Sequence, residues 1–256
     1  MENQKFNSGE VTDLWRFPVK SMGGEQLKEL EISAHGVVGD RAYALLDKQT
    51  GKVVSAKNSK LFPELLNCSA RFVSKPLQHE KMPAVIVTLP NGNTVSSDDT
   101  AANDKLSAFF GRQVSLIQTA PADFTIDQFH PDIAGLDPSG NQNTTVAQKL
   151  GSALFDSVGL ASPVPAGSFL DVFPVSVITT STMTKLKELS PQSLFDVQRF
   201  RMNIVVKTSE NGFVENDWVN QMLAIEDSVQ LAVAMLDPRC VITTLAQPGL
   251  PQDLDV

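Results

Sequence analysis

Apolar positions in the first half of the chain recur in short, closely spaced groups with a period near two. VTDLWRF (11–17), LKELEI (27–32) and RAYALLD (41–47) mix β-branched, aromatic and alternating residues, which predicts strands. The segments between them, SMGGE and HGVVGD, are glycine-rich loops. DKQTGK predicts a hairpin turn into VVSA, and AVIVTL, NGN and TVSS (84–97) predict a second hairpin. DDTAANDKLSAFFG (98–111) changes the pattern to a helix opened by Asp or Thr and closed by Gly111, after which QVSLIQ returns to a strand. From Ala120 to about Asn143 the chain is rich in Pro, Gly, Asp and Asn, which predicts a long loop or linker and the best candidate domain boundary. Beyond it, VSVITT reads as a buried strand, STMTKLKEL as a helix with a Ser or Thr cap, and RMNIVV, MLAIED and VQLAVAML as strands. Short strands between glycine-rich turns favour β-barrels with a few short helices over a doubly wound sheet.

Composition narrows the function. A length of 256 residues suits two modest domains or one large one, and 42% hydrophobic with 20% charged residues reads as globular. The net charge of −8 repels nucleic acid and anionic lipid, so neither is an expected partner. An anionic ligand would need a local basic pocket. Cys68 and Cys240 lie far apart without a C-x-x-C pair, and His35, His79 and His130 lack metal-ligand spacing. The N-terminus MENQKFNSGE is polar, which predicts no signal peptide, and no apolar run is long enough to span a membrane. A cytoplasmic location follows by default. Neither G-x-G-x-x-G nor a Walker A loop occurs, so nucleotide binding has no support.

Three segments carry candidate chemistry. Arg239-Cys240-Val241-Ile242-Thr243-Thr244 sets a soft thiol beside a cation that favours the thiolate, with two hydroxyls able to bond oxo or phosphate oxygens. Its bland alternative is a buried free cysteine at a strand end, and chemistry alone favours that alternative. In the second segment, Arg199, Arg201 and Asn203 cluster at the start of an apolar strand. Alternation sets Arg201 and Asn203 on one face, suited to a phosphate and a heterocycle edge or equally to a salt-bridged strand end. The third, Lys20-Ser21 before Gly23-Gly24, has the makings of an anion-binding loop, with Arg41 and Lys57 adding cations in the same half.

Taken in order, P-V-K-S, G-D-R, Phe169-Leu170-Asp171-Val172-Phe173-Pro174, R-F-R-x-N-I-V-V, E-x-D-W and R-C-x-x-T-T resemble the MOSC family. Within it they resemble the amidoxime-reducing and hydroxylaminopurine-resistance branch. Met202 stands where relatives usually have Pro. The resemblance implies a mainly β chain with short helices (α+β), made of a MOSC N-terminal β-barrel domain over 9–119 and a MOSC β-barrel domain over 120–256. Relatives run on past R-C-x-x-T-T, so the second barrel is expected to be short of its C-terminal strands. The resemblance further implies a molybdenum cofactor (molybdopterin) with Cys240 as the metal ligand. Lys20, Ser21, Arg41, Lys57, Arg201, Asn203, Arg239, Thr243 and Thr244 would grip the pterin and its phosphate, and Asp171 would pass protons near the metal. At the level of the whole family there is also an association with pyridoxal phosphate binding. The implied reaction reduces a small N-hydroxylated substrate, with electrons from a donor protein of ferredoxin or flavin-reductase type, since the chain has no iron–sulfur cysteine set. Two other readings stand beside it. One is a sulfur carrier holding a persulfide on Cys240 for metal-cofactor assembly, and the other is a non-catalytic binding fragment.

Overall fold

The computed structural model describes residues 9–132, 140–226 and 228–256. Residues 1–8 of the polar N-terminus, 133–139 of the expected linker and Asp227 of MLAIED lie outside the described residues.

The chain is mainly β, with short strands and few helices. Strand β1 (Glu10–Arg16) pairs antiparallel with β2 (Glu25–Leu27) on one side and with β13 (Ile204–Lys207) on the other. On the far side of β13 lies β12 (Val177–Thr179), parallel to it, which completes a four-stranded sheet. The sheet therefore joins the beginning of the chain to a segment some 190 residues later, across the expected boundary at 119/120. Smaller sheets surround it. β3 (Ile32–Ser33) pairs with β4 (Gly36–Val37), and β5 (Ala44–Asp47) pairs with β9 (Val114–Ile117). β6 (Ser69–Phe72), β7 (Val85–Thr88) and β8 (Thr94–Ser96) form a meander, with the expected N-G-N turn between the last two. β14 (Met222–Ile225) and β15 (Val229–Ala232) form a hairpin.

Among the described residues no sheet closes into a barrel, which departs from the two barrels expected. The strands are two to seven residues long and, among the described residues, divide into one four-stranded, one three-stranded and four two-stranded sheets.

Several sequence expectations change for local reasons. The expected linker contains β10 (Thr125–His130), paired residue for residue with β11 (Thr144–Lys149). Phe124, Ile126 and Phe129 are buried there, an apolar signal masked by the surrounding Pro, Asp and Gly. Helix α1 (Ala102–Phe110) closes at Gly111 with φ 62°, but its N-cap is Ala101 rather than Asp or Thr. Asp99 works two residues earlier, its carboxylate accepting from the Ala101 amide at 2.8 Å. Helix α2 (Ser152–Ser157) follows Gly151, and α3 (Thr180–Leu189) carries the expected Thr cap, with Thr179 accepting from the Thr182 amide at 3.1 Å. RMNIVV does not begin as a strand. Asp196 accepts from Gln198 N at 2.8 Å and starts the one-turn helix α4 (Val197–Phe200), so Arg201 becomes its left-handed C-cap at φ 57°.

Two cores hold these pieces. The larger gathers Val19, Met22, Leu45, Leu65, Cys68, Val85 and Leu106 under the meander and α1, and reaches Ile242. The smaller joins Ala44 and Val53 to Phe124, Ile126, Leu150 and Phe169, with the Phe124 and Phe169 rings edge to face at 6.0 Å. This second core is the floor of the site.

Candidate functional site

Four loops meet above the smaller core. The turn after β1 is fixed by the Phe17 amide donating to Asp40 Oδ1 at 2.7 Å, by Arg41 N to Phe17 O at 2.7 Å, and by Lys20 N to Tyr43 O at 2.8 Å. Ser21 takes φ 66° and accepts from the Ala56 amide at 3.1 Å, which ties in the segment carrying Lys57. The Phe129 amide bonds Lys57 O at 2.8 Å, so the β10–β11 hairpin supports that segment from the other side.

Asp171 lies between two ammonium groups. Lys57 Nζ donates to its Oδ2 at 2.9 Å, and Lys20 Nζ pairs with Oδ1 and also donates to Phe169 O at 3.1 Å. The Lys20 and Lys57 side chains are 6% and 14% exposed, whereas Asp171 keeps 36%, so the carboxylate is the open side of the cluster. Burial opposes its ionisation, but the charges and hydrogen bonds of both lysines outweigh this and hold the carboxyl well below the usual range. Burial, together with the neighbouring charges of Lys57 and Arg41, lowers Lys20 despite its pairing with Asp171. Burial also works against the charge of Lys57, yet Asp171, Cys240 and Asp237 together raise its pKa.

Arg41 and Arg201 flank Phe17, with guanidinium carbons 4.6 Å and 4.4 Å from its ring centroid. Arg41 pairs with Asp40 and donates to Arg201 O at 3.1 Å. Arg201 is buried, and among the described residues its Nη2 has no hydrogen-bond partner. Burial and the charge of Arg41 bring this guanidinium down to about 9, against the pull of Asp40, Asp171 and Cys240, so it stays cationic at neutral pH. The charges of Lys57, Asp171 and Asp237 act on the Cys240 thiol. Burial is the larger effect and pushes the thiol up, while Lys57 pulls it down. Lys20, Arg41, Lys57, Asp171, Arg201 and Cys240 thus converge from positions spread over the whole chain.

Other expected site residues are engaged elsewhere. Asn203 Nδ2 donates to Trp15 O at 3.2 Å while its Oδ1 accepts from Ser176 N at 3.2 Å and Ser176 Oγ at 3.1 Å, a buried clasp between β1 and the start of β12. Thr243 Oγ1 donates to Cys240 O at 3.1 Å and Thr244 Oγ1 to Val241 O at 2.8 Å. Their protons satisfy the carbonyls of Cys240 and Val241 where the 3-10 turn Val241–Thr244 begins. The Arg239 guanidinium is directed to Val256 O, and the cations coupled to the Cys240 thiol are Lys57 and, more weakly, Arg201.

The sequence reading did not single out Asp40, Asp237 or Phe17. Asp40 lies inside G-D-R and Phe17 directly before P-V-K-S, so contact geometry was the missing signal. Asp237 has its carboxyl pushed up by the surrounding protein and by the charge of Asp171, against Lys57 and Arg41.

The arrangement fits an anionic, thiol-ligated group. Four cations, Lys20, Arg41, Lys57 and Arg201, face the carboxylates of Asp40, Asp171 and Asp237, which leaves a small positive excess and, among the described residues, a buried unpaired donor on Arg201. Among the described residues no group of three or more His, Cys, Asp or Glu side chains could hold a metal ion by itself. A metal bound here would need further ligands from a cofactor.

Comparison with known proteins places the chain in a family. The MOSC N-terminal beta barrel domain matches residues 8–120 and the MOSC domain matches residues 166–253, so the chain belongs to the MOSC family. Among curated proteins it is similar to mitochondrial amidoxime reducing component 2 of Macaca fascicularis and of Homo sapiens. Each is 24% identical over 250 residues, covering 93% of this chain and 67% of the relative. Among the described residues no helix is long and apolar enough to cross a membrane.

Proposed function

We propose that the chain is a molybdenum-cofactor-dependent reductase of small N-hydroxylated compounds. The observation that carries this reading is the cluster itself, in which Cys240 stands with Lys20, Arg41, Lys57 and a buried Arg201 whose Nη2 lacks a partner among the described residues. Amidoxime reduction, named for the two relatives, is the reaction class this chemistry would serve.

Cys240 would supply the protein's sulfur to the metal, and Arg41, Arg201 and Lys57 would hold the anionic part of the pterin. When bound, the cofactor supplies the two-electron redox chemistry. Cleaving the N–O bond consumes two electrons and two protons and releases the amine or amidine and water. A donor protein of ferredoxin or flavin-reductase type would deliver the electrons.

Asp171 takes a different part from the proton carrier expected of it. A carboxyl held so low stays ionised, so it orients and balances Lys20 and Lys57. Lys20 Nζ, lowered by burial and like charges, holds its proton less firmly than an ordinary lysine and is the better source.

The test is molybdenum per chain, measured after expression in a cofactor-producing host. Loss in Cys240→Ala with retention in Cys68→Ala is expected, because Cys68 is fully buried in the larger core and burial pushes its thiol up to about 12. Equal loss in both variants, or a persulfide on Cys240 without molybdenum in the unmodified chain, overturns the reading.

A further inference from the structure

Arg199 is the largest fully buried side chain, 1% exposed, and no part of the reaction described above uses it. Its guanidinium donates to four backbone carbonyls: Nε to Leu194 O at 2.8 Å, Nη1 to Thr243 O and Leu245 O at 3.1 Å each, and Nη2 to Pro251 O at 2.7 Å. Removing a guanidinium from water onto neutral carbonyls is costly unless several are aligned at once. Here the acceptors come from three separate stretches: the approach to α4, the turn that follows Cys240, and the segment near Pro251. Arg201, two residues later, turns the other way and lies over Phe17. One helical turn therefore touches the cysteine segment on one side and the cation cluster on the other.

From this geometry we infer that Arg199 is a positioning residue that fixes the Cys240 segment relative to Arg201 by fastening the Val241–Thr244 turn to α4. Lysine cannot replace it, since one ammonium cannot reach four carbonyls that lie in different directions. The inference uses the reading of Cys240 as the working thiol, but its test needs no metal, so failure of the molybdenum assignment would leave it standing.

The two cysteines make the test internally controlled. Cys68, fully buried, reports opening of the whole fold, whereas Cys240, half-buried, reports opening of its own segment. Iodoacetamide labelling of each thiol is followed by mass spectrometry on the full chain, for the unmodified protein and for Arg199→Lys. The expected result is a rise of about tenfold or more at Cys240 with Cys68 changed less than about twofold. Equal acceleration at both sites would mean that Arg199 only stabilises the fold, and no change at Cys240 would mean that it holds nothing; either overturns the inference. If Arg199→Lys does not fold, amide hydrogen exchange on the unmodified chain decides. The Thr243 and Leu245 amides, bonded to Cys240 O and Ile242 O, should open together with the Arg201 amide, bonded to Val197 O. Much faster exchange at Thr243 and Leu245 than at Arg201 overturns it as well.

Discussion

Replacing Asp171 with Asn removes one charge from between two buried ammoniums. The Lys20 and Lys57 side chains are 6% and 14% exposed, so neither can turn to water, and Arg41 adds a third positive charge acting on Lys20. Breaking a buried pair typically costs about 3–5 kcal/mol. Asp171 itself keeps 36% of its side-chain surface, which lets solvent screen part of that, so the expected loss near pH 7 is about 2 kcal/mol. The sign of the pH dependence follows from Lys20. Its folded pKa is already lowered by burial; without Asp171 it falls further, while the unfolded chain holds the proton up to about pH 10.4. Between those two values the unfolded chain binds more protons, so the variant gains stability as pH rises. In the unmodified chain the contribution of Asp171 is complete above its unfolded pKa and is lost only as pH falls through its much lower folded value. The deficit of the variant should therefore be largest near neutral pH and shrink as pH rises towards the ordinary lysine value. Urea unfolding followed by circular dichroism at three pH values measures it. A deficit below about 0.5 kcal/mol at every pH, or one that grows with pH, refutes the account of the cluster.

The remaining expectations are simpler. Saturating inorganic phosphate, at about ten times its Kd, should stabilise the chain by about 1.4 kcal/mol, or roughly 3–5 °C in Tm, through the unpaired Arg201 donor. Arg201→Lys should remove most of that rise, and an unchanged rise would detach Arg201 from the anion site. Thr179→Ala should cost about 1–2 kcal/mol in urea unfolding, because Thr179 caps α3 and also donates to Glu215 Oε2 at 2.7 Å; a loss within error would mean that neither bond contributes.

What could be read from the sequence was local or serial. The alternation in AVIVTL, the glycine ending α1 and the threonine opening α3 each act within a few residues, and each element forms. The order of motifs identified the family and brought attention to Cys240. The pairing of β1 with β13 was not legible, because two short apolar runs 190 residues apart carry no register information. The double ion pair of Asp171 was hidden for the same reason, since its partners are 151 and 114 residues away. Arg201 was misplaced on a strand because a one-turn helix leaves almost no periodic trace, and its Asp196 cap was the only local sign. The hydroxyls of Thr243 and Thr244 were assigned to a ligand because their competing acceptors, carbonyls of their own turn, cannot be seen until the turn exists.

Three of the seven non-glycine residues with positive φ among the described residues lie where the charge is unbalanced. Ser21, Arg41 and Arg201 all have positive φ, at 66°, 47° and 57°, a region that costs an ordinary residue about 1–2 kcal/mol. Each is held there by a hydrogen bond from a different loop or helix: Ala56 N to Ser21 Oγ, Arg41 N to Phe17 O, and Arg201 N to Val197 O. Glycine would relieve the backbone at all three positions but would remove two of the four cations and the clasp to the Lys57 segment. The like charges of Lys20, Lys57, Arg41 and Arg201 add a second unfavourable contribution, which Asp40, Asp171 and Asp237 only partly offset. Neither feature improves the stability of the chain by itself. Both become understandable if an anion with several oxygens completes the cluster, because it would satisfy the Arg201 donor, neutralise the excess charge and draw on positions that a relaxed backbone could not hold.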